Sequence, residues 1–368
     1  MLQALTHNEA ITPEWLTEAL RTAGKLPVGA VTAVETRANT AFNSAASHLT
    51  LSYSADAPAD APHALFMKRN LAAEWAIEGG RDEVAFYRSM APHTAILTML
   101  IPVYAALVDE ARGASTLLML DVSATHTPPL TRDEQISGHS IPTESQLTQM
   151  IDALAGFHAY WLQHSEWERD FALTPWYSDE AAFATHVTDR QAEWERFIAA
   201  EGAWFPADLR AFYEREIERL PQIWTNGLGE RITERRGVTL THGDCYFTQF
   251  LCPNPGVSAD AYLIDFQSAY ADLLGWDLIH MFAFWWTREQ RRDSDRELRE
   301  LRRYHTSLLA NGVSDYSWDE LLAGYRLALT FGLFYPIWDE TNGSSRSYWF
   351  PKLRNIVAAY EDHVLAGA

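Results

Sequence analysis

The sequence has few cysteines and lacks a long apolar run. Cys245 and Cys252 are too few for a disulfide framework in a chain of 368 residues, which predicts a reducing, cytoplasmic location. The most apolar stretch, 273–286, contains an aspartate and a histidine, so it falls short of the roughly 18 uncharged residues of a membrane span. Residues 1–16 lack a basic region followed by an apolar run, so no secretory signal is predicted.

Basic residues are also scarce. The sequence has 29 lysines and arginines against 49 aspartates and glutamates, a formal net charge of −20. Nucleic-acid phosphates need clustered basic side chains, so this balance argues against a nucleic-acid partner. A negative surface weakly favours a cationic or neutral small substrate, although the simpler interpretation is that the charge keeps the protein soluble.

The amino-terminal third predicts a small sheet with one helix. The chain is too long for one ordinary domain, and its 47% hydrophobic content argues against disorder. A helical pattern over 81–90 lies between the third and fourth predicted strands. The five strands are predicted over 30–36, 47–54, 65–68, 101–108 and 116–121.

Long helices are predicted from about residue 122 onward. Thr143 and Gln146 have the spacing of a capping box, a pattern typical of a helix start. Ser317 and Glu320 have the same spacing, and the helix that they begin is expected to run until Pro336.

These patterns together predict the fold class. The densely charged stretch 288–303 is interpreted as a solvated helix face. The sequence shows neither an internal repeat nor a low-complexity linker. We therefore expect an α+β fold with a β-rich amino-terminal lobe over 1–121, whose expected ligand follows from the motifs below, and a helical carboxy-terminal lobe over 122–368.

A short motif late in the chain is the most informative feature. Asp244 stands two positions after His242 and five before Gln249, and Asp265 ends an apolar run. Phosphoryl transfer needs a carboxylate that orients and deprotonates a hydroxyl, and oxygen ligands that hold Mg²⁺ on the phosphates. The protein-kinase pattern His-x-Asp-x4-Asn, followed by Asp-Phe-Gly, differs here at two key letters, since Gln249 replaces Asn and Gln267 replaces Gly.

Each residue of this motif has an expected role. Asp244 is the candidate base, because an ordinary aspartate is ionised at neutral pH and can accept a hydrogen bond from a substrate hydroxyl. His242 is expected to hold the loop by hydrogen bonds rather than to titrate. Gln249 and Asp265 offer the hard oxygen ligands that Mg²⁺ prefers.

A lysine and a glutamate in the amino-terminal lobe complete the pattern. Lys68 ends a strand-like run, as in the Val-Ala-Ile-Lys pattern of kinases, and Glu83 lies in the helix that follows. Taken alone, each is more simply a solvent-exposed surface residue. Together with the later motif, in this order, they indicate a cation that is held on nucleotide phosphates by a carboxylate.

The expected phosphate-covering segment, 37–44, has no glycine. Backbone amides approach phosphates most easily through glycine. Ser44 is small enough to permit that approach, and Asn39 or Asn43 could donate a hydrogen bond to a phosphate. Loose nucleotide binding is an equal expectation.

The motifs resemble those of the aminoglycoside phosphotransferase and choline kinase-like family, small-molecule kinases with a two-lobed, protein-kinase-like fold. Two segments, at 11–15 and 313–318, are similar to the ecdysteroid-kinase-like bacterial branch of that family. The similar segments are Ile-Thr-Pro-Glu-Trp at 11–15, Phe-His-Ala-Tyr-Trp at 157–161, His-Gly-Asp at 242–244, Ile-Asp-Phe-Gln at 264–267, Gly-Trp-Asp-Leu at 275–278 and Val-Ser-Asp-Tyr-Ser-Trp at 313–318.

This resemblance implies an ATP- and Mg²⁺-dependent kinase that phosphorylates a hydroxyl of a small molecule, with GTP not excluded. It implies that Asp244 is the base, that Gln249 and Asp265 bind Mg²⁺, and that the lysine–glutamate pair holds the phosphates. Asp277 would brace the catalytic loop. The family usually has Asn at the Gln249 position, although its maltokinase-like members carry Gln.

The acceptor is poorly defined by the sequence. Asp339 and Glu340, expected in a turn after Pro336, could meet an ammonium group or could be solvated. Several tryptophans could form the floor of an apolar or sugar-stacking pocket, although core packing is the simpler interpretation for most of them. They are Trp285, Trp286, Trp338 and Trp349.

Two alternatives stay open. The first is a nucleotide-binding or sensing module with weak or no transfer activity, which Gln249 and the glycine-free segment suggest. The second is a metal-dependent hydrolase that uses His242, Asp244 and Asp265, but it leaves the lysine–glutamate pair unexplained. The acceptor, the choice of ATP or GTP and the oligomeric state are not determined by the sequence.

Overall fold

The structure, a computed structural model, describes residues 2–40, 44–163 and 177–366. The chain divides into two compact units. The first unit comprises Met1–Thr127 and Phe250–Ala269, and the second comprises Pro128–Gln249 and Tyr270–Ala368. A short segment from late in the sequence, which carries Asp265, therefore belongs with the amino-terminal sheet.

The described strands and helices are numbered in chain order. The strands are β1 Val31–Thr40, β2 Ser44–Tyr53, β3 Ala64–Asn70, β4 Val103–Asp109, β5 Ala114–Leu120, β6 His126–Thr127, β7 Val238–Thr241, β8 Phe250–Pro253, β9 Tyr262–Leu263 and β10 Tyr270–Leu273. The helices are α1 Pro13–Thr22, α2 Glu74–Met90, α3 Arg132–Ser137, α4 Glu144–Gln163, α5 Glu180–Glu201, α6 Ala207–Arg219, α7 Gly229–Glu234, α8 Gly275–Phe282, α9 Arg288–Arg292, α10 Arg296–Ala310, α11 Trp318–Gly332, α12 Tyr335–Thr341 and α13 Arg346–Tyr360.

The first unit is built on a five-stranded antiparallel sheet in the order β1-β2-β3-β5-β4. The five strands and the helix predicted from the sequence are all present. Alternate residues of β3, Leu65 and Met67, are fully buried and pack with Leu49 and Leu118 in one core cluster that also takes in α1. The opposite face of β3 therefore carries Phe66 and Lys68.

Two boundaries in the first unit differ from the predictions by four residues or more. β1 does not end at residue 36, because Arg37 and Asn39 continue the ladder opposite His48 and Ala46. Most of the expected phosphate-covering segment is therefore strand rather than loop, and Asn43 lies outside the described residues. Helix α2 begins at Glu74 rather than at residue 81.

A second, three-stranded sheet of the first unit has the order β6-β8-β9. Both pairs of strands are antiparallel. Leu263 of β9 also forms an isolated parallel bridge with Leu100. These pairings anchor the backbone two residues before Asp265.

The second unit is helical around a two-stranded antiparallel pair, β10-β7. α4 packs against α10, and α8 packs against α11. The capping box of Thr143 and Gln146 is confirmed, since each side chain accepts the backbone N–H of the other residue. The box of Ser317 and Glu320 is confirmed in the same way.

The prediction for Pro336 is wrong. α11 ends at Gly332, and Pro336 lies in the first turn of the next helix, α12. A proline fits there because the first turn of a helix needs no backbone N–H from it.

The charged stretch 288–303 is not uniformly solvated. Arg291 is 2% exposed and donates to the carboxylates of Glu297 and Asp362. Part of the charge in this stretch is therefore an internal ion-pair network.

One stretch of the described residues, Trp318–Thr341, is apolar and long enough to cross a membrane by length and composition alone. It consists of α11 and α12, and 61% of its apolar window is buried inside the protein. A core helix passes the same test, so this observation is weak evidence for a membrane span.

Candidate active site

The first unit contains an ion-pair cluster, here called the Lys68 cluster: Lys68, Glu83 and Asp265. The Lys68 ammonium lies 2.7 Å from Glu83 Oε2 and also donates to Asp265 Oδ1. The three residues come from β3, α2 and the loop after β9. The structure therefore brings together three residues that the sequence singled out separately.

The charges in this cluster depend on its burial. Burial lowers the pKa of Lys68, but the carboxylates of Asp265 and Glu83 outweigh it, so the net pKa lies above the ordinary lysine value. Burial raises the pKa of Glu83 to about 7, against the opposing effect of Lys68. Lys68 is therefore the permanent cation, and Glu83 is the member of the pair whose charge depends on pH.

Two glycines let α2 approach the sheet closely. A Cβ added to Gly80 would lie 2.2 Å from Ser115 Oγ, and one added to Gly79 would lie 3.0 Å from Gln267 Oε1. Glu83 lies one helical turn beyond these residues, so the close approach delivers its carboxylate to β3. This role is not predictable from the sequence, because glycine weakens a helix and a helical pattern is hard to extend through two glycines.

Of the two other residues predicted to bind the nucleotide, Ser44 lies beside the Lys68 cluster and Asn39 does not. Ser44 lines a small cavity with Lys68 and Glu83, and the cavity volume of ≈ 10 Å³ holds about one water molecule. Asn39 is exposed and does not line it. Asn39 pairs with Ala46, which pairs with Lys68, so the two side chains share a sheet face about 10 Å apart.

Asp265 has an unusual backbone conformation. Its φ is 68°, in the left-handed region that few non-glycine residues adopt. The next residue, Phe266, is 1% exposed and stacks on Phe86 of α2 with ring centroids 4.0 Å apart. This contact and the bond to Lys68 hold Asp265 in a conformation of the kind that occurs at functional sites.

The second unit contains the loop after β7, which carries the predicted catalytic motif. The Asp277 carboxylate accepts the backbone N–H groups of His242 and Gly243, at 2.7 and 2.9 Å. Gly243 has a φ of 81°, which favours glycine. The His158 Nε2 atom lies 3.0 Å from Asp277 Oδ2, and its Nδ1 atom lies 2.6 Å from the Tyr304 hydroxyl.

Asp277 is an ionised structural residue. Burial raises its pKa, but the hydrogen bond from His158 and the neighbouring histidines outweigh this and lower the pKa below the ordinary value. Because the carboxylate is fully buried, its charge serves the loop rather than a ligand in solvent. This bracing role agrees with the one implied by the resemblance.

His242 and Asp244, predicted as catalytic, lie in this braced loop, and Gln249, one of the two predicted metal ligands, follows it. His242 is fully buried, and its Nδ1 atom lies 3.4 Å from the backbone nitrogen of Asp244. Asp244 is half-buried, and its carbonyl accepts the backbone N–H of Tyr246 at 2.8 Å. Gln249 is half-buried at the end of a short 3-10 turn.

The tryptophans predicted to form a pocket floor are mostly core residues. Trp285, Trp286 and Trp349 are at most 3% exposed, whereas Trp338 is 39% exposed. Core packing, the simpler of the two interpretations, therefore holds for three of the four.

Asp339 does not lie in a turn. It belongs to α12, is 5% exposed, and accepts a 2.8 Å hydrogen bond from the ammonium of Lys352. Its ammonium partner is thus part of the chain. The burial of Lys352 is not predictable from the sequence, because the residues around it in the helix give no sign of it.

A family model places the chain among known proteins. The model of the ecdysteroid kinase-like family matches residues 80–312, more than half of the chain. The chain belongs to the ecdysteroid kinase-like family. No curated protein matches its sequence.

Solved structures of small-molecule kinases share the fold. A choline kinase from Cryptosporidium parvum Iowa II has a TM-score of 0.55 at 10% identity, over 91% of this chain and 90% of that one. A Plasmodium vivax ethanolamine kinase has a TM-score of 0.51 at 10% identity, over 90% and 83%. The predicted protein-kinase-like fold is confirmed.

Proposed function

We propose that this member of the ecdysteroid kinase-like family transfers the γ-phosphate of ATP to a hydroxyl group of a small molecule. The observation that carries the proposal is the Lys68 cluster, in which a permanent cation is held by a buried carboxylate and by Asp265. A cation fixed on a strand by a helix glutamate is the arrangement that phosphate binding needs. GTP is not excluded as the phosphate donor.

Asp244 is the proposed base. In the proposed step, the acceptor oxygen forms a bond to the γ-phosphorus as the bond to the β-bridging oxygen breaks. The acceptor proton passes to the Asp244 carboxylate, and ADP carries away the negative charge of the leaving oxygen. The hydrogen bonds from His242 and Gly243 to Asp277 hold the loop. They support a base, Asp244, that is positioned before the acceptor binds.

The two residues proposed to bind Mg²⁺ have side chains of the right chemical type. Asp265 offers a carboxylate and Gln249 an amide oxygen, the hard ligands that this ion prefers. Among the described residues, no group of three or more His, Cys, Asp or Glu side chains could hold a metal. Mg²⁺ commonly keeps several waters and substrate phosphates with one or two protein ligands. When bound, it would neutralise charge on the transferring phosphates.

The weak or inactive module is the second candidate. It is favoured by one specific observation, the direct bond between Lys68 and Asp265, which engages a carboxylate that metal binding would require. ATP binding without transfer is its signature.

The test is nucleotide turnover with a panel of alcohol acceptors. Wild type is compared with Asp244→Asn and Asp265→Asn, and the exposed Asp152→Asn on α4 is the matched control. We expect transfer by wild type and the control, and its loss in the other two. Transfer that survives both substitutions would refute the assignment. Thermal stabilisation by MgATP without transfer to any acceptor would support the module.

A further inference from the structure

The Lys352 ammonium lies inside a ring of aromatic side chains in the second unit. Lys352 has no exposed surface. Its Nζ atom is 4.2 to 5.8 Å from five ring centroids, all within reach of a cation–π interaction. The rings belong to Tyr335, Phe284, Tyr246, Tyr348 and Trp285. We call these rings, with Asp339, the Lys352 cage.

The polar contacts complete a cation site. Asp339 Oδ2 lies 2.8 Å from the ammonium and the Tyr246 hydroxyl lies 2.7 Å from it. A carboxylate, a hydroxyl oxygen and several π faces are the groups that stabilise an ammonium away from water. The cage therefore has what binding of an alkylammonium ligand would need, but the chain's own lysine occupies it.

The cage adjoins the proposed base. Tyr246 is two residues after Asp244, and its backbone N–H donates to the Asp244 carbonyl. After burial, which is the largest cause, the charge of Asp244 helps to raise the pKa of Tyr246, Tyr335 and Tyr348. An acceptor whose hydroxyl meets Asp244 therefore comes close to this wall.

The outer side of the cage is partly exposed to solvent. Tyr335 and Tyr348 are half-buried, and the exposed Trp338 stacks on Tyr335 with centroids 5.4 Å apart. A second basic side chain of the protein, Arg132, lies over the Tyr348 ring at 5.7 Å. Two cations of the chain, Lys352 and Arg132, therefore lie over the rings of the cage.

We propose that Lys352 determines acceptor specificity by filling the cation site beside Asp244, so that the acceptor is an uncharged alcohol and not an alkylammonium alcohol. This inference rests on the proposed function for its acceptor. A cationic acceptor would meet the like charge of Lys352, while the Asp339 carboxylate that would attract it is already paired.

Choline and its uncharged carbon analogue 3,3-dimethylbutan-1-ol test this directly, because they differ in charge but hardly in shape. Binding is measured by ligand-observed NMR at constant ionic strength, with no turnover required. We expect wild type to bind the uncharged alcohol at least about tenfold more tightly than choline. Equal binding, or tighter binding of choline, would overturn the proposal.

Variants at Lys352 test the cause. Lys352→Ala should open the cage to tetramethylammonium and reverse the preference toward choline, and Lys352→Met should abolish the preference without opening space. Lys352→Ala combined with Asp339→Asn should lose most of the new ammonium binding. An unchanged preference in Lys352→Met would overturn the proposal, and this variant keeps the volume of the core if the alanine variant fails to fold.

The outcomes separate this inference from the proposed function. Loss of transfer in Asp244→Asn with no discrimination between the two alcohols would support the kinase and refute the role of Lys352. A protein that transfers no phosphate but binds the uncharged alcohol more tightly than choline would support the role of Lys352 and refute the proposed kinase.

Discussion

The ammonium of Lys68 contacts the carboxylate of Asp265 across 197 positions of the sequence. The contact joins the central sheet of the first unit to the short segment that follows β9. Because Glu83 contacts the same ammonium, removal of the lysine leaves two acidic groups facing each other.

Substitution of Lys68 should destabilise the protein and abolish its response to nucleotide. Lys68→Met removes the cation that opposes the raised pKa of Glu83, so the buried Glu83 becomes protonated and the ion pair is lost, at a cost of about 1–3 kcal/mol of unfolding free energy. Urea unfolding measures the loss, and MgATP should no longer raise the melting temperature. Lys68→Met with Glu83→Gln should recover part of the stability but not the response. A normal response to MgATP in Lys68→Met would contradict the role assigned to this lysine.

The close approach of α2 to the sheet gives a second prediction. Gly80→Ala places a Cβ against Ser115 Oγ and should cost about 1–3 kcal/mol by overpacking, although alanine favours a helix more than glycine does. Adding Ser115→Ala should restore part of the loss. A Gly80→Ala protein as stable as wild type in urea would show that α2 does not need this approach.

Much of the site was predictable from local spacing. The loop motif, Asp265, Lys68 and Glu83 stood out because their chemistry depends on residue type and order, and the structure unites the last three. Their catalytic and binding roles stay predictions. By contrast, the burial of Lys352 and its pairing with Asp339 depend on the packing of α12 against α13, which no short pattern encodes.

The boundary errors have physical causes. Residues 79 and 80 are glycines, so propensity gave no reason to begin α2 before Arg81, yet packing against the sheet keeps this segment helical. Pro336 was interpreted as a helix end, whereas a proline is equally suited to the first turn of a new helix.

The bracing of the loop at 242–244 by Asp277 gives a third prediction. Asp277→Asn replaces one carboxylate oxygen by an amide donor, which must face a backbone N–H group of His242 or Gly243. We expect a stability loss of about 2–3 kcal/mol and a lower kcat with little change in KM for ATP. The control is Asp152→Asn on the exposed face of α4, which should behave as wild type. A kcat unaffected by Asp277→Asn would show that the loop keeps its geometry without the carboxylate.

A buried histidine gives a pH prediction. Burial lowers the pKa of His280 from 6.5 to about 3, while its ring lies 2.9 Å from the Trp276 carbonyl. The unfolded chain therefore binds more protons between these values, and the stability contribution of a neutral His280 is lost as the pH falls below 6.5. The slope is up to about 1.4 kcal/mol per pH unit.

Comparison with His280→Asn isolates this contribution. His186 has a pKa lowered to about 3 in the same way, and Glu83, with a raised pKa, acts in the opposite direction. Urea unfolding from pH 7 to pH 5 should show a shallower loss of stability in His280→Asn than in wild type. Identical slopes would mean that His280 titrates normally in the folded protein.

The most direct test of the central claim is transfer of the labelled γ-phosphate from MgATP to an alcohol by wild type and by Asp244→Asn. Thermal stabilisation by MgATP serves as the check that nucleotide still binds. The account predicts labelled product with wild type, and transfer at least about 100-fold slower with Asp244→Asn, while MgATP stabilises both proteins equally. Equal transfer by the two proteins would contradict it.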